Sequence, residues 1–201
     1  ENEYVLTVRC SKGTYIRTLL EEIAAEGARA GEIIRSIQSL TRKQDPTFSR
    51  IDMHSLIHHI ITLSRSELEQ RHISVDYLLN ASDSFITGDS VQIQQVLLNL
   101  VMNAVEAMAE VKDRACTITL STSNADGKAI VEIADTGSGI EPERLEQIFD
   151  SFYSTKPQGM GMGLTISASI IERHCGKLSA RRREPHGTVF AFALPLAAQE
   201  A

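Results

Sequence analysis

The order of segments predicts an α+β protein: a two-layer α/β sandwich over residues 46–201, preceded by a strand-turn at 1–20 and a long helix at 21–45. Three observations carry this. Apolar or small residues at Ile16, Leu20, Ile23, Gly27, Ala30, Ile34 and Ile37 alternate three and four apart, the seam of a helix that packs on another helix. Beyond Pro46, helices and an antiparallel sheet are mixed without the regular strand-helix alternation of a parallel sheet. With 42% hydrophobic residues in 201, the chain can bury a core of domain size.

Each element has its own signal. Tyr4 to Cys10 alternates Val5, Thr7 and Arg9 against Leu6, Val8 and Cys10, and Ser11-Lys12-Gly13-Thr14 breaks the pattern, which predicts a short strand and turn. The long helix follows, and its narrow apolar stripe predicts a homodimer through a partner helix; Gly27 is its weak point, because glycine inside a helix costs about 1 kcal/mol relative to alanine. Gln44-Asp45-Pro46 ends the helix, since the residue before a proline is pushed out of helical conformation, and the domain boundary falls there. Asp52 is placed to cap a helix running to about Leu68, and Ile73 to Leu79 and Ser84 to Thr87 read as strands. Asp89 and Gln92 make a capping-box-like start for a helix from Ser90 to about Glu110. Cys116 to Thr122 and Ala129 to Ala134 read as an antiparallel hairpin around a turn containing Asp126-Gly127. Pro142 suits the first turn of a short helix. The stretch from Gly159 to Gly163 leads into a helix to about His174, and Lys177 to Arg183 and Thr188 to Leu194 read as strands.

Composition narrows the function classes. The formal charge of -6, from 20 basic and 26 acidic residues spread along the chain, argues against a general nucleic-acid surface. It leaves room for a phosphate site built from backbone N–H groups and a metal ion. Cys10, Cys116 and Cys175 are an odd number at no metal-ligand spacing, which reads as three small buried hydrophobes in a reducing, cytoplasmic compartment. No apolar run approaches the roughly 20 residues that span a bilayer, and no signal peptide opens the chain, so a soluble protein is expected.

Three short patterns carry chemistry. Asn99 and Asn103 lie one turn apart on one helix face, with Val96, Leu97, Leu100, Val101, Ala104 and Met108 on the apolar side. An amide oxygen suits a hard cation such as Mg²⁺, which takes its other ligands from water and phosphate, although polar pairs at this spacing are also common on solvated faces. Asp135-Thr136-Gly137-Ser138-Gly139-Ile140 follows a strand, placing a carboxylate at the strand end with two glycines that allow close ligand approach. A carboxylate accepts from the adenine amino group, whereas guanine presents a carbonyl there; a structural acid in a turn is the bland alternative. Gly159-Met160-Gly161-Met162-Gly163-Leu164, after Lys156 and Pro157, opens a helix and offers free N–H groups to an anion, while a flexible linker is the commoner role of such a stretch. Neither a P-loop nor a dinucleotide fingerprint is present. Thr188, after Gly187, is placed to close the pocket from a neighbouring strand, and Phe149, Phe152 and Tyr153 are expected to pack the base of the lid onto the core.

In this order the patterns resemble the ATP-binding domain of bacterial sensor histidine kinases, from about residue 51 to 196. Q-Q-V-L-L-N-L-V-M-N-A from Gln94 to Ala104 is similar to the family's N box, and D-T-G-S-G-I to its first glycine box. F-D-S-F-Y-S-T-K from Phe149 to Lys156 is similar to its F box, and G-M-G-M-G-L to its second glycine box. The resemblance implies a Bergerat-type sandwich that binds ATP and Mg²⁺. Asn99 and Asn103 would face metal and phosphate, and Asp135, with Gly137, Gly139 and Ile140 beside it, would face adenine. Lys156, Gly159, Gly161, Met162, Gly163 and Leu164 would form the lid, and a response regulator would be the protein partner.

ATPases of the gyrase, mismatch-repair and chaperone type share this nucleotide fold and carry a Glu general base four residues before the position of Asn103; here that position is Asn99, and an amide cannot take a proton from attacking water. The family's phosphorylated His lies on a first helix of a dimeric hairpin. Glu21 to Arg42 is similar to the second helix, while His54, His58, His59, His72, His174 and His186 all fall in the ATP-domain portion and none precedes an acid. Nucleotide binding without self-phosphorylation is therefore expected. Val5 to Leu19, with Tyr15 and Arg17, is similar instead to tRNA pseudouridine synthases of the T arm, without a counterpart of the segment bearing their catalytic Asp; a junction of spliced or engineered origin is the first reading, chance similarity the other, and RNA modification ranks behind them. A non-catalytic dimeric scaffold built on the heptad seam is the third class.

Overall fold

Asp52 opens the first described helix, its backbone extended and its carboxylate accepting from His54 N at 3.1 Å. That contact satisfies one of the N–H groups every helix start leaves over. The structure, a computed structural model, describes residues 47–153 and 161–198. The strand-turn and heptad helix expected at 1–45, their dimer contact, the junction segment, Cys10, and the lid residues Lys156 and Gly159 lie outside the described residues.

The elements run β1 (Ser49–Asp52), α1 (Met53–Gln70), β2 (Ser74–Leu79), β3 (Phe85–Gly88), α2 (Ser90–Ala107), β4 (Thr117–Ala125), β5 (Lys128–Asp135), α3 (Gly163–Arg173), β6 (Lys177–Arg182) and β7 (Thr188–Pro195). Single 3₁₀ turns at Pro142–Arg144 and Gln147–Phe149 lie between β5 and α3. Five strands form one sheet in the order β2-β4-β5-β7-β6, and β1 pairs β3 in a separate ribbon. The two-layer α+β architecture predicted from the sequence is the one observed.

Strand alternation sorts the sheet's two faces. Ile118 and Leu120 of β4, Val131 and Ile133 of β5, Phe190, Phe192 and Leu194 of β7, and Leu178 of β6 are buried in the core. They meet the apolar stripe of α2, where Ile93, Val96, Leu97, Leu100, Val101, Ala104 and Val105 recur at helical spacing, and the inner faces of α1 and α3. Residues of the opposite parity, such as Thr119, Glu132 and Ala191, are only partly covered. Asp135 stands last in the inward row of β5, which directs a carboxylate toward the helix layer.

Several expectations need correction. The sheet is mixed: β2 runs parallel to β4, because the chain returns through β3 and α2 before pairing. Ser49–Asp52 forms a strand although four residues without apolar alternation gave no sign of one. Helix α2 ends at Ala107, three residues early, where Ser138 N takes its terminal carbonyl. Asp89 alone caps it, accepting from Val91 N and Gln92 N, while the buried Gln92 Oε1 has no hydrogen-bond partner, so the reciprocal half of a capping box is not made. Cys175 is exposed, since it occupies the left-handed position just past α3 (φ 57°), and Cys116 is half-buried. The hairpin turn fits its prediction, with Asp126 and Gly127 both at positive φ.

Candidate functional site

Asp135 is 1% exposed, and among the described residues Gly137 N donates to its Oδ1 at 2.8 Å and Thr188 N at 3.2 Å. Oδ2 is the carboxylate's second acceptor. Burial pushes the Asp135 carboxyl above the usual carboxylate range, opposed by the two N–H donors and the Arg183 guanidinium. Thr188 serves the site through its backbone N–H, and its residue is itself buried.

The glycines of this region answer to protein backbone. A Cβ on Gly137 would lie 2.6 Å from the Ala107 carbonyl oxygen at the end of α2, and one on Gly139 (φ 77°) would press on Gly187 O at 3.1 Å. A Cβ on Gly187 (φ 105°) would collide with the Asp135 carbonyl. Within the fold these glycines let β5, the end of α2 and the β6–β7 loop converge on Asp135. Ile140 packs half-buried against the core.

Midway along α2, Asn99 meets α3. Its Nδ2 donates to Ser167 Oγ at 3.0 Å, and a Cβ on Gly163 would lie 2.6 Å from its Oδ1. Gly163, the first residue of α3, thus lets the helix N-terminus approach the Asn99 amide. Asn103 follows one turn later on α2, half-buried. The span along α2 from Asn99 to Ala107 is about 12 Å at 1.5 Å per residue. One helix therefore carries the amide pair between the start of α3 and the Asp135 turn.

Phe152 N donates to Gly161 O at 3.2 Å, and Gly161 (φ 65°) leaves no room for a Cβ against Phe152 and Tyr153. Phe149 and Tyr153 pack half-buried on the core as expected, and Met162 and Leu164, read in the sequence as lid residues, pack there too; Phe152 is 76% exposed with φ 68°, because the turn that reaches Gly161 directs its ring outward. Among the described residues no cluster of His, Cys, Asp or Glu could hold a metal ion. The donors that fit Mg²⁺ are the amide oxygens of Asn99 and Asn103, hard ligands that need phosphate oxygens and water to complete a shell. A buried carboxylate with a second acceptor fits an amino-bearing base, so the residues present suit both halves of a Mg²⁺-nucleotide.

Residues 88–198, more than half of the chain, match the family model of histidine kinase-, DNA gyrase B- and HSP90-like ATPases. The chain belongs to this family. Within it the relatives are sensor kinases. The chain is 34% identical over 183 residues to the C4-dicarboxylate transport sensor protein DctS of Rhodobacter capsulatus, covering 91% of this chain and 28% of that protein. It is 35% identical over 182 residues to the sensor protein FixL of Bradyrhizobium diazoefficiens, covering 90% and 36%. The chain thus spans about a third of the length of these curated relatives. The nucleotide-free catalytic domain of histidine kinase ThkA superposes with a TM-score of 0.66 at 34% identity, covering 74% of this chain and 95% of that one. ThkA in complex with the response regulator protein TrrA superposes with a TM-score of 0.77 at 27% identity, covering 94% and 53%. The chain carries a histidine-kinase-type ATP-binding catalytic domain.

In this histidine-kinase-type domain, Asn99, Gly163 and Ser167 come together midway along α2, and Asp135, Gly137, Gly139, Gly187 and Thr188 at its C-terminal end. Ser167, Arg114 and Arg183 were not singled out in the sequence. Ser167 lies one helical turn after Gly163, a spacing that marks a shared face, but nothing local links it to Asn99. Among the described residues no helix is long and apolar enough to cross a membrane.

Proposed function

We propose that this domain binds ATP with Mg²⁺ and is the phosphoryl-donor half of a two-component sensor histidine kinase. The observation that carries the reading is the buried Asp135, held at Oδ1 by Gly137 N and Thr188 N, with Oδ2 as a second acceptor for adenine. Asn99 and Asn103 would hold the metal and phosphates from the middle of α2, and Lys156 with Gly159, Gly161, Met162, Gly163 and Leu164 would fold over them. When bound, Mg²⁺ neutralises charge on the phosphate oxygens. The ordered N-terminus of α3 adds a favourable field for anions.

Asn99 favours transfer over hydrolysis. Its amide accepts no proton from water and is already committed to Ser167 through Nδ2. The chain's six histidines all lie between His54 and His186, and His174 is buried with Nδ1 bonded to Ile170 O and Nε2 accepting from Asp89 N. We assign none of them as acceptor; the phosphorylated histidine belongs to another segment or chain. A homodimer through residues 21–45 and a response regulator partner complete the proposal, the latter supported by the likeness to ThkA in its complex with TrrA. The similarity of Val5 to Leu19 to tRNA pseudouridine synthases is taken as a junction without RNA chemistry.

Incubation of the chain with labelled ATP and Mg²⁺ tests the donor reading: nucleotide should bind, phosphate release should be negligible, and the chain should remain unlabelled. Robust phosphate release would favour the ATPase reading, and an acid-labile phosphohistidine would overturn the acceptor assignment. Loss of tRNA binding on Arg17→Ala would restore the RNA reading.

A further inference from the structure

The three successive carbonyls of Asp135, Thr136 and Gly137 are held by two arginines from different loops. Arg114, between α2 and β4, donates through Nε to Thr136 O at 3.0 Å and through Nη2 to Gly137 O at 2.9 Å. Its Nη1 is anchored in turn on both carboxylate oxygens of Asp113, at 2.9 and 3.1 Å. Arg183, just past β6, donates through Nη1 to Asp135 O at 3.2 Å, and its own N–H closes the β6–β7 loop on Gly187 O at 3.0 Å. A strand end that turns into a glycine-rich loop would otherwise leave these carbonyls to water and the turn free to rock. Side-chain contacts from Thr136 Oγ1, which accepts from Thr117 N and donates to Ala115 O, pin the same turn to the start of β4.

We propose that Arg114 and Arg183 are positioning residues for base recognition, fixing from two sides the turn that aims the Asp135 carboxylate. This rests on the reading of Asp135 as the adenine acceptor. Neither arginine needs to touch nucleotide. A planar guanidinium that donates to two adjacent carbonyls fixes orientation as well as distance, which a lysine ammonium at Arg114 would not reproduce. Arg183 contributes its charge too, since it draws the Asp135 carboxyl down against the effect of burial and so favours the ionised, accepting form.

The consequence is a loss of discrimination. If the turn rocks, adenine loses a well-aligned acceptor while guanine meets a weaker repulsion, so the preference for adenine nucleotides falls. Global destabilisation behaves differently, because it lowers the competent fraction for both bases alike. The test is calorimetric affinity of the full chain for non-hydrolysable ATP and GTP analogues with Mg²⁺, for wild type, Arg114→Met, Arg114→Lys, Arg183→Met, Arg183→Lys and Asp135→Asn, with thermal melts to count folded protein. We expect the ATP-over-GTP ratio to fall about tenfold, the worth of one well-made charge-assisted hydrogen bond, in Arg114→Met, Arg114→Lys and Arg183→Met. Arg183→Lys, which keeps the charge and a single donor, should retain most of the ratio. Wild-type ratios in both methionine variants, or equal losses for both nucleotides, would overturn the positioning role while leaving Asp135 intact. A wild-type ratio in Asp135→Asn would overturn the underlying reading instead.

Discussion

Gly163 brings the N-terminus of α3 against the side chain of Asn99: a Cβ on Gly163 would lie 2.6 Å from Asn99 Oδ1, the same amide whose Nδ2 donates to Ser167. The atom in the way is the end of a side chain, so Gly163→Ala displaces Asn99 while the backbone stays. Alanine is the better helix residue, by less at this first position than the roughly 1 kcal/mol of a helix interior, which offsets part of the crowding. We therefore expect Gly163→Ala to melt within a few degrees of wild type, yet to bind Mg²⁺-nucleotide about tenfold more weakly, a difference of about 1.4 kcal/mol. Paired melting and titration check it; equal affinity would detach Asn99 from the site.

Gly88→Ala should do the reverse. Its Cβ would lie 2.8 Å from Cδ2 of His174, a ring that is 3% exposed and fixed at both nitrogens by Ile170 O and Asp89 N. Nothing there yields cheaply. Overpacking of this kind costs about 1–3 kcal/mol, and the urea midpoint should fall accordingly, while nucleotide affinity of the folded protein is unchanged.

Asp135→Asn separates stability from function. Burial raises the Asp135 carboxyl, so between the unfolded value and the raised native one the folded state holds more protons, and the group's contribution to stability falls as pH rises through that window. Above it the buried charge is a cost. An asparagine Oδ1 can still accept from Gly137 N and Thr188 N, so the variant should melt at or above the wild-type temperature at neutral pH, by about 2–4 °C for each kcal/mol recovered. Its nucleotide affinity should collapse. In wild type the same protonation removes the acceptor, so binding should weaken as pH falls through the raised value; a pH-independent affinity would contradict this.

Asp52→Ala tests the start of α1. Burial pushes the Asp52 carboxyl up, but hydrogen bonds from Ser55 and Ser84 hydroxyls and His54 N outweigh it and hold the group below its usual value. A group lowered in this way stabilises the fold above its unfolded value and loses that contribution as pH falls through the native one. Removing the cap should cost about 1–2 kcal/mol at neutral pH, and the gap between variant and wild type should close in acid. Chemical denaturation at two pH values measures it.

What the sequence disclosed was the local chemistry. Asp52 and Asp89 announce helix starts because caps depend on one side chain and the next three residues, and Asp126-Gly127 announces a hairpin because only such residues accept positive φ at both turn positions. Asn99, Asn103, Asp135 and the second glycine stretch were visible for the same reason. Partners far apart in the chain were not. The parallel pairing of β2 with β4 depends on the path through β3 and α2, and the short β1 depends on β3 to exist at all. Nothing local to Gly137 shows that Ala107 O, thirty residues earlier, lies where a Cβ would go. Arg114 and Arg183 reach carbonyls 22, 23 and 48 residues away, and no local pattern marks which of many arginines does so.

The most direct measurement is calorimetric titration of the chain with a non-hydrolysable ATP analogue and Mg²⁺, beside Asp135→Asn and Asn103→Ala. Saturable binding by wild type, weakened at least about tenfold in each variant, is the predicted result. Binding by both variants with wild-type affinity would contradict the assignment of the pocket.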